Sequence, residues 1–468
     1  MLVADGLRHA DLTRAIAAGA VPELERMRVE GALHHITTAF PSVTGVAYTP
    51  FLLGRHPGSV GIPGLRWYDR SHHIGRMRAH SRSYVGMDFW EVDADLDAQQ
   101  PTIFELVQPA LGALSVIARG LPRRARIGGG LGFAARAGWT HFRGDVNGWL
   151  AIDRDVAERA VQRIARERPR YAFIALTGID KTSHAAGYDS PAVLRALETV
   201  DDTARCLRVD AERAGRWDAM QLWIVSDHGH SAVGAHDDIA ALLRSLGWRV
   251  LAHPWTFAAP GRSAANVAVM VSGNAMAHLY LDLARRKRPF WPSLAPQWTA
   301  LVEALLERRS VDLALLPEGS GRVAIRTRER GMAVVESLGR WHSYRPVTGD
   351  PLGIGDAAEH GVTEAEAHEI TFASDYPDAL VQIARLAACE RSGDVILSAA
   401  RGWDFRGRYE PIPHVSSHGA LHRDHMLVPL LLNRPVRGTP RRTVDLMPSA
   451  LNALGIPLPA ALEGESFL

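Results

Sequence analysis

The sequence predicts an α/β protein with a largely parallel sheet covered on both faces. Two observations carry this. Short apolar runs end in polar, chemically capable residues: Leu2-Val3-Ala4 before Asp5, Tyr171 to Leu176 before Asp180, and Leu222 to Val225 before Asp227. Helical stretches, for example Asp11 to Glu30 and Asp155 to Glu167, lie between them, and strands alternating with helices build parallel sheets. Ligands in such sheets gather beyond the carboxyl ends of the strands, so the three aspartates are candidates for one shared site.

Length and composition fit this class. At 468 residues the chain has room for one large domain with insertions, or about two to three domains. Its 47% hydrophobic and 22% charged content and a mean hydropathy near zero describe an ordinary globular protein. Basic and acidic residues nearly cancel, 53 against 51, so no global field steers the chain to a nucleic-acid polymer or an anionic membrane. Apolar runs such as Ala110 to Ala118 and Leu427 to Leu432 fall short of the roughly 20 residues a spanning helix needs. Cys206 and Cys389 alone make no disulfide framework and are read as buried thiols. No signal-peptide succession precedes the first strand, which points to the cytoplasm. That strand has only four residues before Asp5, fewer than the usual five or six, so a truncated start is left open.

Texture divides the chain. Residues 1–238 and 373–468 read as the core, with Asp394 to Ser398 and Met426 to Leu432 as returning buried strands. Residues 239–372, rich in Gly, Pro and turn signals around Val311 to Leu316 and a hairpin-like Val323 to Val335, read as an inserted smaller subdomain on the substrate side. The arginine- and glycine-rich stretch from Ala118 to Arg143, around Ile127-Gly128-Gly129-Gly130-Leu131-Gly132, has no Lys-Ser/Thr after its glycines. It is read as a surface loop, a basic lid near an anionic substrate, rather than a nucleotide cradle.

Four segments carry chemistry. In Gly178-Ile179-Asp180-Lys181-Thr182-Ser183-His184, a carboxylate and an imidazole four apart converge on one cation if the segment is helical; the alternative is a cap and a surface residue. In Ser226-Asp227-His228-Gly229-His230, adjacent Asp and His reach one cation only where the strand breaks into a turn, which Gly229 permits. Val415-Ser416-Ser417-His418-Gly419 offers a third imidazole, though His422 and His425 compete with His418 on spacing alone. Phe40-Pro41-Ser42-Val43-Thr44-Gly45 presents two hydroxyls on a proline-fixed turn before an expected helix, as nucleophile or as helix caps. Three Asp, three His and one hydroxyl are the inventory that two bound cations require.

These segments, Val-Ala-Asp-Gly-Leu-Arg at the start, and Thr443-Val444-Asp445-Leu446-Met447-Pro448 with Gly455-Ile456 at the end, together resemble the type I phosphodiesterase/nucleotide pyrophosphatase branch of the alkaline phosphatase superfamily. The chain is also similar to the phosphonoacetate hydrolases of that branch. The resemblance implies a three-layer α/β sandwich and a metal-dependent hydrolase of phosphodiester, phosphomonoester or phosphonate bonds in a small anionic phosphorus compound, with a phosphodiesterase/nucleotide pyrophosphatase as the leading reading and a phosphonate hydrolase as an alternative. It implies two divalent cations, with zinc expected and manganese the alternative. One would be held by Asp180, His184 and His418, the other by Asp5, Asp227 and His228, with Thr44 bridging them as the nucleophile that forms a phospho-threonine. Where nucleotide pyrophosphatases commonly carry an Asn that binds a phosphoryl oxygen, the stretch Val60-Gly61-Ile62-Pro63-Gly64-Leu65 has Leu65, which weakens the nucleotide reading. Lys181, Tyr48 and Trp67 are candidate substrate contacts, and His278 could face the site, although a structural turn is favoured there. Alternatives are a phosphoglycerate mutase-like phosphotransferase and a metal-stabilised binding protein; a sulfatase is disfavoured because no Cys/Ser-x-Pro-x-Arg sequence is present.

Overall fold

A seven-stranded sheet runs in the order Ala32–Thr37, Leu427–Leu432, Trp223–Val225, Leu2–Ala4, Tyr171–Leu176, Ala110–Ala113, Arg126–Ile127. The structure is a computed structural model that describes residues 1–71, 73, 80–86, 88–253, 265–407 and 412–468. Leu427–Leu432 is antiparallel to both neighbours, and the other strands all run one way. Side chains alternate between two apolar clusters, as strand geometry requires. Val3, Phe173, Ala175 and Val225 join one cluster; Leu2, Ala4, Ile174, Leu176 and Ile224 join the other. Both faces are therefore covered, the usual condition for parallel strands.

The helix Val146–Glu167 starts where Asp145 accepts from the Gly148 amide at 2.9 Å. It buries Trp149, Ile152, Val156 and Ala160 at three- and four-residue intervals and, with Pro191–Arg213, covers one face of the sheet. Thr49–Leu53 and Leu446–Ala453 contribute Phe51, Leu52, Leu446 and Met447 to the other. The expected three-layer α/β arrangement is what forms.

A nine-stranded, almost wholly antiparallel sheet is built from Val250–Ala252, Val267–Ser272, Met276–Leu281, Val395–Ala399, Val311–Gly319, Arg322–Arg326, Gly331–Leu338, Trp341–Gly349 and Val362–Thr363. The hairpin pairs Val323 with Val335, as expected. Val395–Ala399 corrects the expectation from sequence. It does not return to the core sheet but lies between Met276–Leu281 and Val311–Gly319. An all-buried strand looks the same whichever sheet receives it.

The glycine-rich stretch also differs from the expected loop. Arg126–Ile127 pairs with Ala110–Ala113 at the sheet edge, and Gly130 opens the helix Leu131–Phe142. Of the cysteines, Cys389 is buried and Cys206 half-buried; both are free. Among the described residues no helix is long and apolar enough to cross a membrane.

A buried polar chain ties the periphery to the turn that carries Thr44. Gln382 accepts from the Phe40 amide at 2.8 Å and donates to Asp378 at 2.8 Å. Arg442 grips the same carboxylate with two bonds of 2.7 Å. Burial would raise the pKa of Asp378, but the Arg442 guanidinium outweighs it and holds the carboxyl below its usual range. Replacing Gln382 by Leu leaves the buried Phe40 amide unpaired and takes one of two donors from an Asp378 oxygen, and is expected to cost about 2 kcal/mol in a urea melt. Nearby, burial likewise works against Glu364, yet His342, Arg385 and Arg442 bring its pKa down from 4.5 to about 2. A depressed acid stabilises the fold fully above its unfolded pKa and loses that contribution as pH falls toward the folded value. Glu364→Gln should therefore lower stability by about 2–3 kcal/mol at neutral pH, and the deficit should shrink between pH 4.5 and pH 2 in acid melts.

Candidate metal centre

Three neighbouring parallel strands deliver the carboxylates. Trp223–Val225, Leu2–Ala4 and Tyr171–Leu176 end side by side, and Asp227, Asp5 and Asp180 lie just beyond them, all with 0% exposure. Asp180 sits in the first turn of the helix Gly178–Ala186. His184 comes one turn later, with Nε2 3.1 Å from Asp180 Oδ1. The helical geometry expected of this pair is present. That helix starts against Asp153, which accepts from the amides of Thr177 and Gly178 at 3.0 and 2.6 Å.

Asp227 and His228 lie beyond the end of their strand, in a turn. Gly229 is needed there for closeness rather than for an unusual φ: a Cβ would meet the Asp424 carbonyl oxygen at 2.1 Å. His228 Nε2 lies 3.4 Å from Asp5 Oδ1 and 3.7 Å from Asp227 Oδ2. His418, rather than its competitors, joins the cluster, with Nε2 3.4 Å from Asp180 Oδ1. His425 is occupied by the Ala420 amide and the Ser231 hydroxyl, and His422 packs on His425. Two sets of ligand atoms emerge: Asp180, His184, His230 and His418, and Asp5, Asp180 and His228, with Asp180 common to both.

Thr44 Oγ1 stands 3.1 Å from Asp5 Oδ1 and 3.0 Å from His228 Nε2. Its turn leads into the short helical run Val46–Tyr48 and Thr49–Leu53, yet neither start carries a side-chain cap bond, and Ser42 donates to Ala420 O at 3.1 Å. The capping alternative therefore falls for both hydroxyls. Thr44 alone is half-exposed in a run of buried neighbours from Pro41 to Pro50.

Electrostatics make the cluster fit cations. Burial pushes the Asp227 carboxyl well above its usual range, reinforced by Asp5 and Asp180, while His228 opposes. Asp227 Oδ2 is buried with no hydrogen-bond partner. For Asp180 burial is outweighed by Lys181 and His184, which hold the carboxyl low; Lys181 Nζ is 2.6 Å from Asp180 Oδ2. Burial works against the His228 imidazolium, but Asp227 and Asp5 bring its pKa up to about 9. His184 Nδ1 faces Ser416 O at 2.8 Å, and His418 Nδ1 faces Ser42 O at 2.9 Å. A carbonyl only accepts, so each Nδ1 carries a proton and Nε2 is the atom left to offer a lone pair on the Asp180 side. Lone pairs and an anionic oxygen converging at 3.1–3.4 Å are what a divalent cation between them would satisfy.

The family model for type I phosphodiesterase/nucleotide pyrophosphatase matches residues 1–422. The chain belongs to that family. Among solved structures it is similar to phosphonoacetate hydrolase from Sinorhizobium meliloti 1021 in complex with phosphonoacetate. The TM-score is 0.57 and the identity 16%, over 97% of this chain and 94% of that one. It is similar also to human ectonucleotide pyrophosphatase/phosphodiesterase 5, with TM-score 0.57 and 14% identity over 98% of this chain and 95% of that one. An inactive threonine-to-alanine form of the murine counterpart in complex with AMP gives 0.57 and 13% over the same shares. Comparison with curated protein sequences returns no match.

In this phosphodiesterase-family chain the three candidate substrate contacts separate. Lys181 reaches the site through Asp180. Tyr48 is fully buried, with its hydroxyl 3.4 Å from Asp5 Oδ2, so it touches a candidate ligand rather than open space. Trp67 is a correction: it is 0% exposed, its indole donates to the Tyr84 hydroxyl at 3.2 Å, and Arg391 lies over its ring. It packs the core and lines no open wall. His278 does not face the site, but it lies in the strand Met276–Leu281 rather than in the expected turn, with Nε2 on Pro63 O and Nδ1 on the Gly393 amide. Leu65 lines a small apolar cavity with Gly45, Val46, Ile62 and Val116. Sequence reasoning misses His230, although its place two residues after His228 was a usable signal.

If cations occupy the centre, stripping them leaves three buried carboxylates short of positive charge. Exhaustive chelation should lower the melting temperature by a few degrees, reversed by zinc or manganese, since a ligand at a hundred times its Kd contributes about 2.7 kcal/mol. Identical melts before and after chelation, with metal content checked, would count against a cation site.

Proposed function

We propose that this chain is a metal-dependent hydrolase of small phosphoesters or phosphonates that works through a phospho-threonine on Thr44. The observation that carries the proposal is the position of Thr44 Oγ1, between Asp5 Oδ1 and His228 Nε2 at the half-exposed mouth of an otherwise buried cluster. Asp180, His184 and His418 would hold one divalent cation and Asp5, Asp227 and His228 the other, with zinc expected and manganese the alternative. Such a pair, when bound, lowers the pKa of a hydroxyl and neutralises charge on phosphoryl oxygens.

The chain's own residues set the geometry. Asp5 and His228 fix the rotamer of Thr44, so that its oxygen is aimed before substrate arrives. Thr44 Oγ1 bonds to phosphorus as the leaving oxygen, or carbon in a phosphonate, departs with its electron pair and takes up a proton. Water then displaces Thr44 from phosphorus and restores the hydroxyl. Lys181, whose Nζ lies 2.6 Å from Asp180 Oδ2, places a cationic donor at the edge of the site for a phosphoryl oxygen.

Family membership and the neighbours support a phosphoester or phosphonate substrate. In the murine neighbour the threonine-to-alanine form is inactive, in keeping with a threonine that matters there. Leu65 offers no amide to a phosphoryl oxygen at the position where the sequence resemblance expects an Asn. That favours a phosphonate or a simple ester over a nucleotide.

Two measurements test the reading. Thr44→Ala is expected to lose at least about a thousandfold in kcat while retaining bound metal, whereas Ser42→Ala should stay within about tenfold. A panel of monoester, diester, nucleotide and phosphonate substrates on zinc- and manganese-loaded protein then identifies the leaving group; failure on all four would sink the hydrolase.

A further inference from the structure

We infer that His230 is a fourth protein ligand of the cation assigned to Asp180, His184 and His418, giving that ion a cage of three imidazoles and one carboxylate. The inference rests on the two-cation reading and concerns how unequally the two ions are held.

Hydrogen-bond logic leads to it. Ser416 Oγ donates its single proton to Ser231 O at 3.0 Å. Towards His230 Nδ1, also 3.0 Å away, that oxygen can only accept, so Nδ1 carries the ring proton. That leaves Nε2, which faces Asp180 Oδ1 at only 2.9 Å, as the ring atom able to bind an ion shared with that carboxylate. His184 and His418 are oriented in the same way by Ser416 O and Ser42 O, so three Nε2 atoms and one carboxylate oxygen converge within 4.8 Å of one another.

The spacing agrees. Ions with ligands at about 2.0–2.1 Å in a tetrahedron separate those ligands by about 3.3 Å. From Asp180 Oδ1 the three Nε2 atoms lie at 2.9, 3.1 and 3.4 Å. The three rings form a nearly equilateral triangle, with centroids 5.0, 5.0 and 5.1 Å apart. Gly6 makes room for the arrangement: a Cβ there would meet the His230 ring at 3.0 Å.

Four protein ligands fill the resting tetrahedron of an ion that can still expand to five ligands during reaction, whereas three leave a position open at rest. The caged ion is therefore retained and slow to exchange. The ion at Asp5, Asp227 and His228, beside Thr44, is the labile and accessible one. Loading should proceed in two steps of separate affinity.

The test is cadmium-113 NMR on protein loaded with two equivalents of that metal and labelled with nitrogen-15 in its imidazoles. One cadmium is expected to couple to three ring nitrogens and the other to one. Chelator competition should show His230→Ala weakening a single ion by more than about 100-fold, beyond the roughly 10–100-fold cost of losing an outer partner. His230→Gln, which keeps a hydrogen-bonding amide, should not restore it. Coupling to two nitrogens and one in the unmodified protein, or full rescue by Gln, overturns the assignment of His230 while leaving two cations in place. Binding of no cadmium would overturn both readings, and the NMR count does not depend on any variant folding.

Discussion

Three carboxylates buried at the ends of three adjacent parallel strands are the constraint that shapes everything around them. Each ionised carboxylate taken from water costs several kcal/mol even after relaxation, and like charges beside one another add to that. Asp5, Asp180 and Asp227 are tolerable only with positive charge among them, and the chain itself supplies Lys181 and the His228 imidazolium. The parallel sheet provides the framework, because strands running one way bring their carboxyl ends, and the turns beyond, to one edge.

Around that edge the fold spends its polar residues on holding angles. Ser416 alone places two imidazoles, one through its carbonyl and one through its hydroxyl. The turn that carries Thr44 is tied through Phe40 to Gln382, and from there to Asp378 and Arg442. Bonds of this kind add little net stability, but leaving one of their partners unmade deep inside the protein is costly. They fix side-chain directions that packing alone would leave free.

Much of this was legible in the sequence, and for identifiable reasons. Asp180 and His184 announce a shared helical face by their spacing, and Leu2-Val3-Ala4 and Tyr171 to Leu176 read as doubly covered strands from their continuous apolar character. Long-range placement was not legible. Val395–Ala399 looks like any buried strand, and only its partners reveal the second sheet. His418 is indistinguishable by spacing from His422 and His425 until its loop bridges to Asn274. Trp67 looks like a wall beside a turn, and its burial depends on Tyr84 and Arg391. His230 lies in plain view, but adjacent Asp227 and His228 draw attention from the residue two further on, whose side chain an extended backbone returns to the same side.

The hold of Ser42 on His418 spans 376 positions of chain. Closure across so long a separation comes late in folding, since its entropy must be spent before any contact rewards it. During synthesis Asp5, Asp180 and Asp227 emerge well before His418, so a growing chain carries the acidic half of the cluster without its last imidazole. The complete ligand set is thus a marker of finished folding, and a nascent or truncated chain offers only a partial site to scavenge metal.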